Sequence, residues 1–275
     1  MPELPETETI ARDLDGAIRG RQIKKVSVRK SDVLREVSAR AFARRLRDAR
    51  ILRSWRRAKL VVLDLDSGDH IVVQPRFTGA LLIDDGNLDD AQLNYSTMRL
   101  DLDDGRALHY ADVRRLGTVA LMNAARFDEY SSALGIEPLD RAFTEAHLSA
   151  VLRATSQPVK KVLMEQRKIA GIGNIYANEA LWRSRIDPSR PAASITPDEA
   201  ALLRTSIVGV LRESIEARGT SFRDYRDARG ERGGFVEKLD AYGRGGLPCH
   251  RCGSKLVATH AIDGRATVMC VHCQH

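Results

Sequence analysis

Two neighbouring residues at the start of the chain, Pro2 and Glu3, are suited to covalent chemistry. If the initiator methionine is removed, as expected before a small residue, Pro2 becomes a secondary amine beside a carboxyl group. An α-amino group titrates near ~8, so a useful fraction is unprotonated and nucleophilic at physiological pH. The pair therefore predicts attack on a sugar or carbonyl carbon. The alternative is that proline and glutamate only open a helix.

A helix directly after this pair would fix the direction of the terminus. Pro5 suits the first position of a helix, and apolar side chains recur every four residues at Ile10, Leu14 and Ile18. Gly20 is typical of a helix end. The sequence therefore predicts a leading helix with one apolar face.

The four cysteines form two pairs, Cys249 with Cys252 and Cys270 with Cys273, all within the last 27 residues. Two such pairs, seventeen residues apart, are typical of a tetrahedral zinc site with four thiolate ligands. Redox-active pairs are the alternative, and a secreted disulfide framework is disfavoured because the remaining chain has no cysteine. We expect one structural Zn²⁺, since four thiolates leave no open position for catalysis.

Residues 171–177, Gly-Ile-Gly-Asn-Ile-Tyr-Ala, place two glycines before a predicted helix start at Asn174. Glycines let the backbone approach a phosphate, and a helix N-terminus favours an anion, so this segment is a candidate phosphate-binding turn. A simple turn between helices is the alternative.

Lys59 follows Arg-Arg-Ala at a predicted turn between strands, where a lysine is usually exposed to solvent.

Short segments separated by Ser-Gly and Asp-Gly turns follow the leading helix and predict many strands. Such a series is typical of a β-sandwich or barrel, against which the leading helix must pack. Ser38–Arg47 is the one helix predicted among them. The predicted strands are Gln22–Arg29, Ile51–Ala58, Leu60–Leu65, His70–Gln74, Ala80–Ile83, Met98–Leu102, Ala107–Tyr110 and Thr118–Met122.

Beyond residue 140 the apolar period becomes helical. The sequence from Thr196 to Glu199 combines an N-cap, a proline and a capping glutamate, which predicts a long helix to about Ala217. Thr220–Glu237, rich in Arg, Asp and Gly, predicts a mobile loop. The other predicted helices are Ala142–Ala154, Val159–Gln166 and Asn174–Arg183.

The predicted fold class is α+β and multidomain. Residues 1–130 would form an N-terminal β-sandwich with a leading helix, and 131–140 a linker. A helical domain would span 141–240, and a β-hairpin zinc finger 241–275.

Charge is unevenly distributed along the 275 residues, whose formal net charge is +7. The first 60 residues carry +9, residues 61–140 carry −9 and the remainder +7. Basic faces suit phosphate binding and attraction to DNA, although a solvated surface would explain part of the pattern. No apolar run approaches the roughly 18 residues of a membrane span, and no signal region is present. We therefore expect a soluble cytoplasmic protein.

The chain resembles the bacterial formamidopyrimidine-DNA glycosylases, a base-excision family that includes endonuclease VIII. The opening Met-Pro-Glu-Leu-Pro-Glu, the Arg-Arg-Ala-Lys turn, the segment 171–177 and the terminal cysteine pairs occur in the family's order. The resemblance implies that Pro2 is the nucleophile, that Glu3 transfers protons and that Lys59 holds a phosphate near the terminus. The positive charge of Lys59 would also oppose protonation of the Pro2 amine. Arg265 matches the zinc-finger arginine that binds phosphates beside the lesion and takes part in the second elimination.

The resemblance also implies DNA contacts in the C-terminal half. Residues 171–177 match the family's helix-two-turns-helix element, which includes Asn174. Lys160 matches a lysine proposed to contact the lesion, and Tyr242 matches a phosphate contact.

The residues that fill the space left by an everted nucleotide depart from the family pattern. Phe77 replaces a methionine and Leu116 replaces a phenylalanine, while Arg114 is retained. A phosphate-contacting histidine becomes Gln74, and another DNA-binding histidine becomes Tyr95. We call Phe77, Arg114 and Leu116, the residues expected to enter that space, the wedge. Phe77 and Leu116 are still apolar, so we expect that the wedge can still fill the space. The alternative for Phe77 and Leu116 is a place in the core of the sheet.

The predicted function is a DNA glycosylase and AP lyase that excises oxidised purines from double-stranded DNA. An endonuclease VIII-like preference for oxidised pyrimidines or hydantoins is one alternative, and a non-catalytic, zinc-containing lesion-binding protein is another. We expect a bacterial monomer without membrane partners that associates with the nucleoid when bound to DNA.

Overall fold

The computed structural model describes residues 2–275. The chain divides into two compact units. The first comprises Met1–Ser132 and Ala217–Gly234, and the second comprises Ala133–Glu216 and Phe235–His275.

The first unit contains two sheets, as its many short strands with tight turns predict. The strands are β1 Ile23–Val28, β2 Leu34–Arg35, β3 Ile51–Arg57, β4 Leu60–Leu65, β5 Asp69–Gln74, β6 Gly79–Asp84, β7 Ser96–Leu102, β8 Ala107–Asp112 and β9 Thr118–Asn123. One sheet has the order β1-β7-β8-β6 and the other the order β2-β9-β5-β4-β3. Neighbouring strands are antiparallel except for the short parallel pair of β2 and β9.

Alternate residues of both sheets meet in one apolar core, which confirms the predicted sandwich. Leu81 and Leu108 enter it from the first sheet, and Leu63 and Leu121 from the second. The leading helix α1, Leu4–Ile18, buries its apolar stripe in the same core. Its last turn is followed by Gly20 with φ 78°. The start of α1 is therefore fixed by the packing of its remaining turns.

Three further helices complete this unit: α2 Ala39–Leu46, α3 Asp90–Leu93 and α4 Ala124–Ser132. Only α2 follows from the sequence, because α3 and α4 have no repeating apolar stripe. The ring of Phe127 in α4 packs edge-on against Trp55 at 5.6 Å and lies 4.8 Å from the His70 ring. Because α4 ends at Ser132, the predicted linker, which starts at residue 131, begins inside this helix.

Residues 217–234 join the first unit, although the sequence places them in a helical domain spanning 141–240. The Thr220 N–H donates to Glu6 Oε1 at 2.8 Å, and Arg218 Nη2 donates to Asp13 Oδ2 at 2.6 Å, so two contacts link the segment to α1. Most of these residues lie in Thr220–Glu237, for which the sequence predicts a mobile loop. Its buried Asp227 accepts the Arg229 and Glu231 N–H groups, each at 2.9 Å, and thereby folds it into a turn.

The second unit contains four α-helices, joined by turns and loops. Between α6 (Val159–Leu163) and α7 (Asn174–Arg183) the chain folds around the side chain of Gln166. This side chain accepts from the Gly171 N–H at 2.9 Å and donates to the Ile172 carbonyl at 2.8 Å. The sixth helix consequently ends three residues before the predicted end at Gln166. The helices are α5 Glu145–Arg153, α6 Val159–Leu163, α7 Asn174–Arg183 and α8 Pro197–Glu216.

The second unit ends in an antiparallel hairpin of β10 Val257–Thr259 and β11 Thr267–Met269. Trp182 of α7 packs in one buried cluster with Cys249, Leu256 and Cys270. Short 3-10 turns occur at Ser31–Val33, Ala192–Ser194 and Phe235–Lys238. Within residues 2–275, every helix is too short or too polar to cross a lipid bilayer.

Candidate active site and metal centre

Pro2 and Glu3 lie directly before α1, and both are buried. The Glu3 N–H donates to Glu6 Oε2 at 2.8 Å, which fixes the backbone that enters the helix. One turn on, the Thr7 hydroxyl donates to the Glu3 carbonyl at 2.9 Å. The terminus is therefore held by its own first helical turn, as predicted for a leading helix.

Lys59 is part of the tight turn between β3 and β4, as predicted, but it is 9% exposed rather than solvated. Ala58 adopts φ 53°, in the left-handed region that closes such a turn. The Ala58 carbonyl accepts from Thr7 Oγ1 at 3.4 Å and from Arg56 Nη1 at 3.1 Å. The turn that carries Lys59 is thus attached to the first turns of α1, next to Glu3.

A second link joins this turn to α1 through charge. Arg56 Nε donates to Glu8 Oε2 at 2.8 Å, and the Arg56 side chain is only 8% exposed. Burial alone would raise the pKa of the Glu8 carboxyl, but the charges and hydrogen bonds of Arg56 and Arg12 together hold that pKa below its ordinary value. Glu8 therefore stays ionised and keeps the turn in place at neutral pH.

Glu6, in the first turn of α1, is a buried acid that links α1 to residues 217–234. In the structure it is 1% exposed and bonds to the N–H groups of both Glu3 and Thr220. The Tyr225 hydroxyl lies 3.4 Å from the Glu6 carbonyl. Glu6 lies three residues after the N-cap Glu3 and forms a capping box with it. That spacing would have indicated the contact with Glu3, whereas the contact with Thr220 has no local signal.

The predicted wedge residues are on loops at one end of the sandwich. Phe77 is 46% exposed and Leu116 is 41% exposed, so neither belongs to the core of the sheet. Arg114 Cζ lies 5.3 Å from the centre of the Phe77 ring, within range of a cation–π contact. Tyr95 is 50% exposed, while Gln74 is half-buried at the end of β5.

Lys160 and Asn174 meet at the hairpin of the second unit. Lys160 is fully buried, and its Nζ donates to the Ala266 carbonyl at 2.9 Å and to Thr267 Oγ1 at 2.7 Å. Asn174 Nδ2 donates to the same Ala266 carbonyl at 3.0 Å. Both side chains therefore hold the carbonyl of Ala266, the residue after Arg265, and Lys160 is not exposed to solvent.

Arg265 itself is exposed, with Nη1 3.7 Å from Met164 Sδ and Nε 3.6 Å from Asp263 Oδ2. Tyr242 is half-buried, and its N–H donates to Glu179 Oε1 at 2.7 Å. Burial raises the pKa of the Glu179 carboxyl, although backbone N–H groups bonded to it favour the charged form. The buried Glu179 carboxyl thus fixes the backbone of Tyr242.

The four cysteines converge into one cluster. The sulfur atoms of Cys249, Cys252, Cys270 and Cys273 all lie within 4.8 Å of one another. The Cys252 and Cys270 sulfurs are 3.4 Å apart, too far for a disulfide of about 2.05 Å. Four thiolates in tetrahedral contact with a metal at about 2.3 Å have sulfurs about 3.8 Å apart, so this cluster could bind a metal ion.

The Pro-Glu terminus is fixed, and exposed cationic and apolar residues lie on loops. With the cluster of four cysteines, which could bind a metal ion, these features indicate a DNA-processing protein. Family models match most of the chain: the formamidopyrimidine-DNA glycosylase N-terminal domain over residues 1–119 and the H2TH domain of the same glycosylase over residues 134–226. The chain belongs to the formamidopyrimidine-DNA glycosylase family.

Individual relatives are similar to this chain in sequence and in structure over nearly its full length. The formamidopyrimidine-DNA glycosylase of Heliobacterium modesticaldum is 40% identical over 277 residues, covering 100% of both chains. The crystal structure of MutM (Fpg) from Thermus thermophilus gives a TM-score of 0.87 at 34% identity, with 99% of this chain and 98% of that chain covered. A Lactococcus lactis Fpg mutant in complex with Fapy-dG-containing DNA gives 0.92 at 28% identity, with 100% of both chains covered.

Proposed function

We propose that the protein excises oxidised purines, including 8-oxoguanine and formamidopyrimidines, from double-stranded DNA and then cuts the strand as an AP lyase. Its family membership makes it a DNA glycosylase of base excision repair. The observation that carries the proposal is the attachment of the Lys59 turn to the first turn of the helix that begins after Pro2 and Glu3. A nucleophile, a proton carrier and a cation for phosphate then come from one fixed assembly.

In the proposed mechanism, Met1 is removed and the free Pro2 amine attacks C1′ of the everted nucleotide. The bond to the damaged base breaks, and Glu3 transfers a proton as the sugar ring opens. The resulting iminium withdraws electrons from C2′, so the C2′–H proton is lost and the 3′ phosphate leaves. A second elimination releases the 5′ phosphate.

The cations have separate tasks in this mechanism. Lys59 neutralises a phosphate beside the damaged sugar and disfavours protonation of the Pro2 amine. Arg265 binds phosphates next to the lesion, because its guanidinium is always charged and can bind a phosphate through two N–H groups, and it takes part in the second elimination. Lys160 and Asn174 support this arginine through the Ala266 carbonyl, and Tyr242 contributes a phosphate contact.

The proposed metal is one Zn²⁺ bound by the four cysteine thiolates. The donor set fits zinc, which prefers four sulfur ligands in closed structural sites. The ion would stabilise the hairpin that carries Arg265 and would supply no chemistry to the eliminations. We propose that the protein works as a monomer on damaged duplex DNA. The DNA partner is supported by Lactococcus lactis Fpg, which forms complexes with DNA containing an abasic site or Fapy-dG.

Phe77 and Leu116 differ from the residues that the family has at these positions. A preference for oxidised pyrimidines is therefore the second candidate for the substrate. Single-turnover excision should therefore be compared for 8-oxoguanine opposite cytosine, thymine glycol and a hydantoin lesion in the same duplex sequence. We expect 8-oxoguanine to be removed at least about tenfold faster than thymine glycol, equivalent to about 1.4 kcal/mol in activation free energy. Faster removal of thymine glycol would overturn the proposed substrate.

A further inference from the structure

Two loops at one end of the sandwich each present an apolar residue to solvent. The loop between β5 and β6 carries Phe77, and the loop between β8 and β9 carries Leu116. The residue before each of them has a left-handed backbone: Arg76 has φ 53° and Arg115 has φ 50°. Such a conformation in a residue other than glycine costs free energy and persists only where surrounding contacts impose it.

The buried carboxylate of Asp112 supplies such contacts to both loops. Asp112 is 2% exposed and lies at the end of β8, opposite Gly79 at the start of β6. Its Oδ1 accepts from the Thr78 hydroxyl of the first loop, and from the Arg114 N–H of the second at 3.2 Å. Its Oδ2 accepts from the Gly117 N–H at 2.8 Å. The Asp112 carboxylate therefore bonds to residues near both exposed apolar side chains, Phe77 and Leu116.

The bases of the two loops lie so close together that a side chain would not fit at Gly117 or at Gly79. A Cβ added to Gly117 would lie 2.8 Å from the carbonyl oxygens of Gln74 and Pro75, across the gap between the loops. A Cβ on Gly79 would lie 2.5 Å from the Tyr110 hydroxyl, which donates to Asp112 Oδ2 at 3.2 Å. The loops are thus joined through backbone contact as well as through the carboxylate.

We propose that Asp112, with Thr78, is a positioning residue that holds Phe77, Arg114 and Leu116 as one preformed wedge. The inference deepens the proposed function, because a wedge is needed only if the enzyme everts a nucleotide and must fill the space left behind. The cation–π contact of Arg114 with Phe77 belongs to the same arrangement. Since the loops are held before DNA arrives, inserting the wedge requires little further ordering of the chain.

The test separates insertion of the wedge from the chemistry at the terminus. A duplex carrying 2-aminopurine opposite a tetrahydrofuran abasic analogue reports disturbance of the orphan base and requires no bond cleavage. Borohydride trapping on a single-stranded abasic oligonucleotide reports the covalent chemistry where there is no opposite base and no space to fill. Asp112→Asn replaces one acceptor oxygen with a donor, and Thr78→Val removes the hydroxyl while keeping the shape of the side chain.

We expect both variants to slow the 2-aminopurine response by about tenfold, while single-strand trapping stays within about twofold of the unmodified chain. Thr78→Ser, which restores the hydroxyl, should recover the response. Asp103→Asn, an exposed carboxylate at the opposite end of the same sheet, should leave both signals unchanged.

An unchanged 2-aminopurine response in Asp112→Asn and Thr78→Val would overturn the positioning role. Equal losses in both assays would also overturn it, because they would indicate a general loss of structure. If the unmodified chain inserts its wedge but is never trapped by borohydride, the Pro2 chemistry fails while the role of Asp112 is still decided by the first assay.

Discussion

Arg56 shows how one side chain can connect the proposed catalytic groups. It is mostly buried on β3 and bonds both to Glu8 of α1 and to the carbonyl of Ala58, the residue before Lys59. A guanidinium can serve two acceptors in fixed directions, which an ammonium group cannot reproduce. Arg56 therefore ties the turn that carries Lys59 to the helix that starts after Glu3.

Replacing Arg56 with lysine should weaken catalysis without unfolding the protein. We expect Arg56→Lys to lower single-turnover excision by about tenfold, about 1.4 kcal/mol, because Lys59 loses its fixed orientation. Circular dichroism should be unchanged. Arg53→Lys is the matched control, since Arg53 is on the same strand and its side chain is 55% exposed. Unchanged excision in Arg56→Lys would remove the proposed role of this link.

The sequence predicts residues whose signal is local and misses those whose partners are distant. Pro2, Lys59 and the cysteines stand in recognisable spacings, so their placement could be anticipated. Glu6 bonds to Thr220, 214 positions away, and a contact of that kind leaves no mark on either local pattern. Lys160 illustrates the same limit, because its burial under the hairpin depends on Thr267, 107 positions away.

At the scale of elements, predictions succeed where apolar periodicity is strong. The bounds of β4 and α7 agree fully with those expected from sequence, and the other predicted strands differ by a few residues at their ends. Apolar periodicity does not predict α4, because Phe127 is its only buried residue. Its start is nevertheless signalled by Asn123, whose side chain accepts the Arg126 N–H at 2.9 Å.

The start of α8 permits a test of pH dependence. Glu199 accepts from Arg190 Nη1 at 2.6 Å and from the Thr196 N–H at 2.8 Å, and the Arg190 hydrogen bond is the main reason why the pKa of Glu199 falls to about 2. A carboxyl whose pKa is lowered by folding adds stability above its unfolded pKa. This stability is lost as pH falls through the folded pKa.

Glu199→Gln should therefore destabilise the protein by about 1–2 kcal/mol at pH 7, after allowance for solvent screening. The difference from the unmodified chain should shrink as pH falls from 4.5 towards about 2. Urea unfolding of both proteins at a series of pH values measures this difference in the free energy of unfolding. Glu216→Gln, at the exposed end of the same helix, should change stability by less than about 0.5 kcal/mol. A difference independent of pH would show that the charge of Glu199 is not responsible.

At the scale of the whole molecule, each compact unit contains one of the chain's two tryptophans. Trp55 lies on β3 of the first unit, and Trp182 lies in the second unit beside Cys249 and Cys270. Arg251 Cζ stacks on the Trp182 ring at 4.1 Å. The two residues therefore report separately on the sandwich and on the cysteine hairpin.

Removing the proposed zinc ion should disorder the hairpin while the sandwich persists. In a Trp55→Phe variant, chelation should shift the Trp182 emission to longer wavelength, and affinity for abasic duplex should fall at least about tenfold. In a Trp182→Phe variant, the Trp55 emission should stay constant under the same chelation. Chelation that leaves Trp182 emission and DNA binding unchanged would contradict a structural metal.

The most direct test of the account is to identify the atom that bonds to the sugar. The purified chain, with its N-terminus checked by mass spectrometry, should be incubated with an 8-oxoguanine duplex and borohydride, and the trapped peptide should be sequenced. If Pro2 is the nucleophile, a single adduct should form on its nitrogen, and none should form on protein that retains Met1. An adduct on Lys59, or efficient trapping by protein that retains Met1, would contradict it.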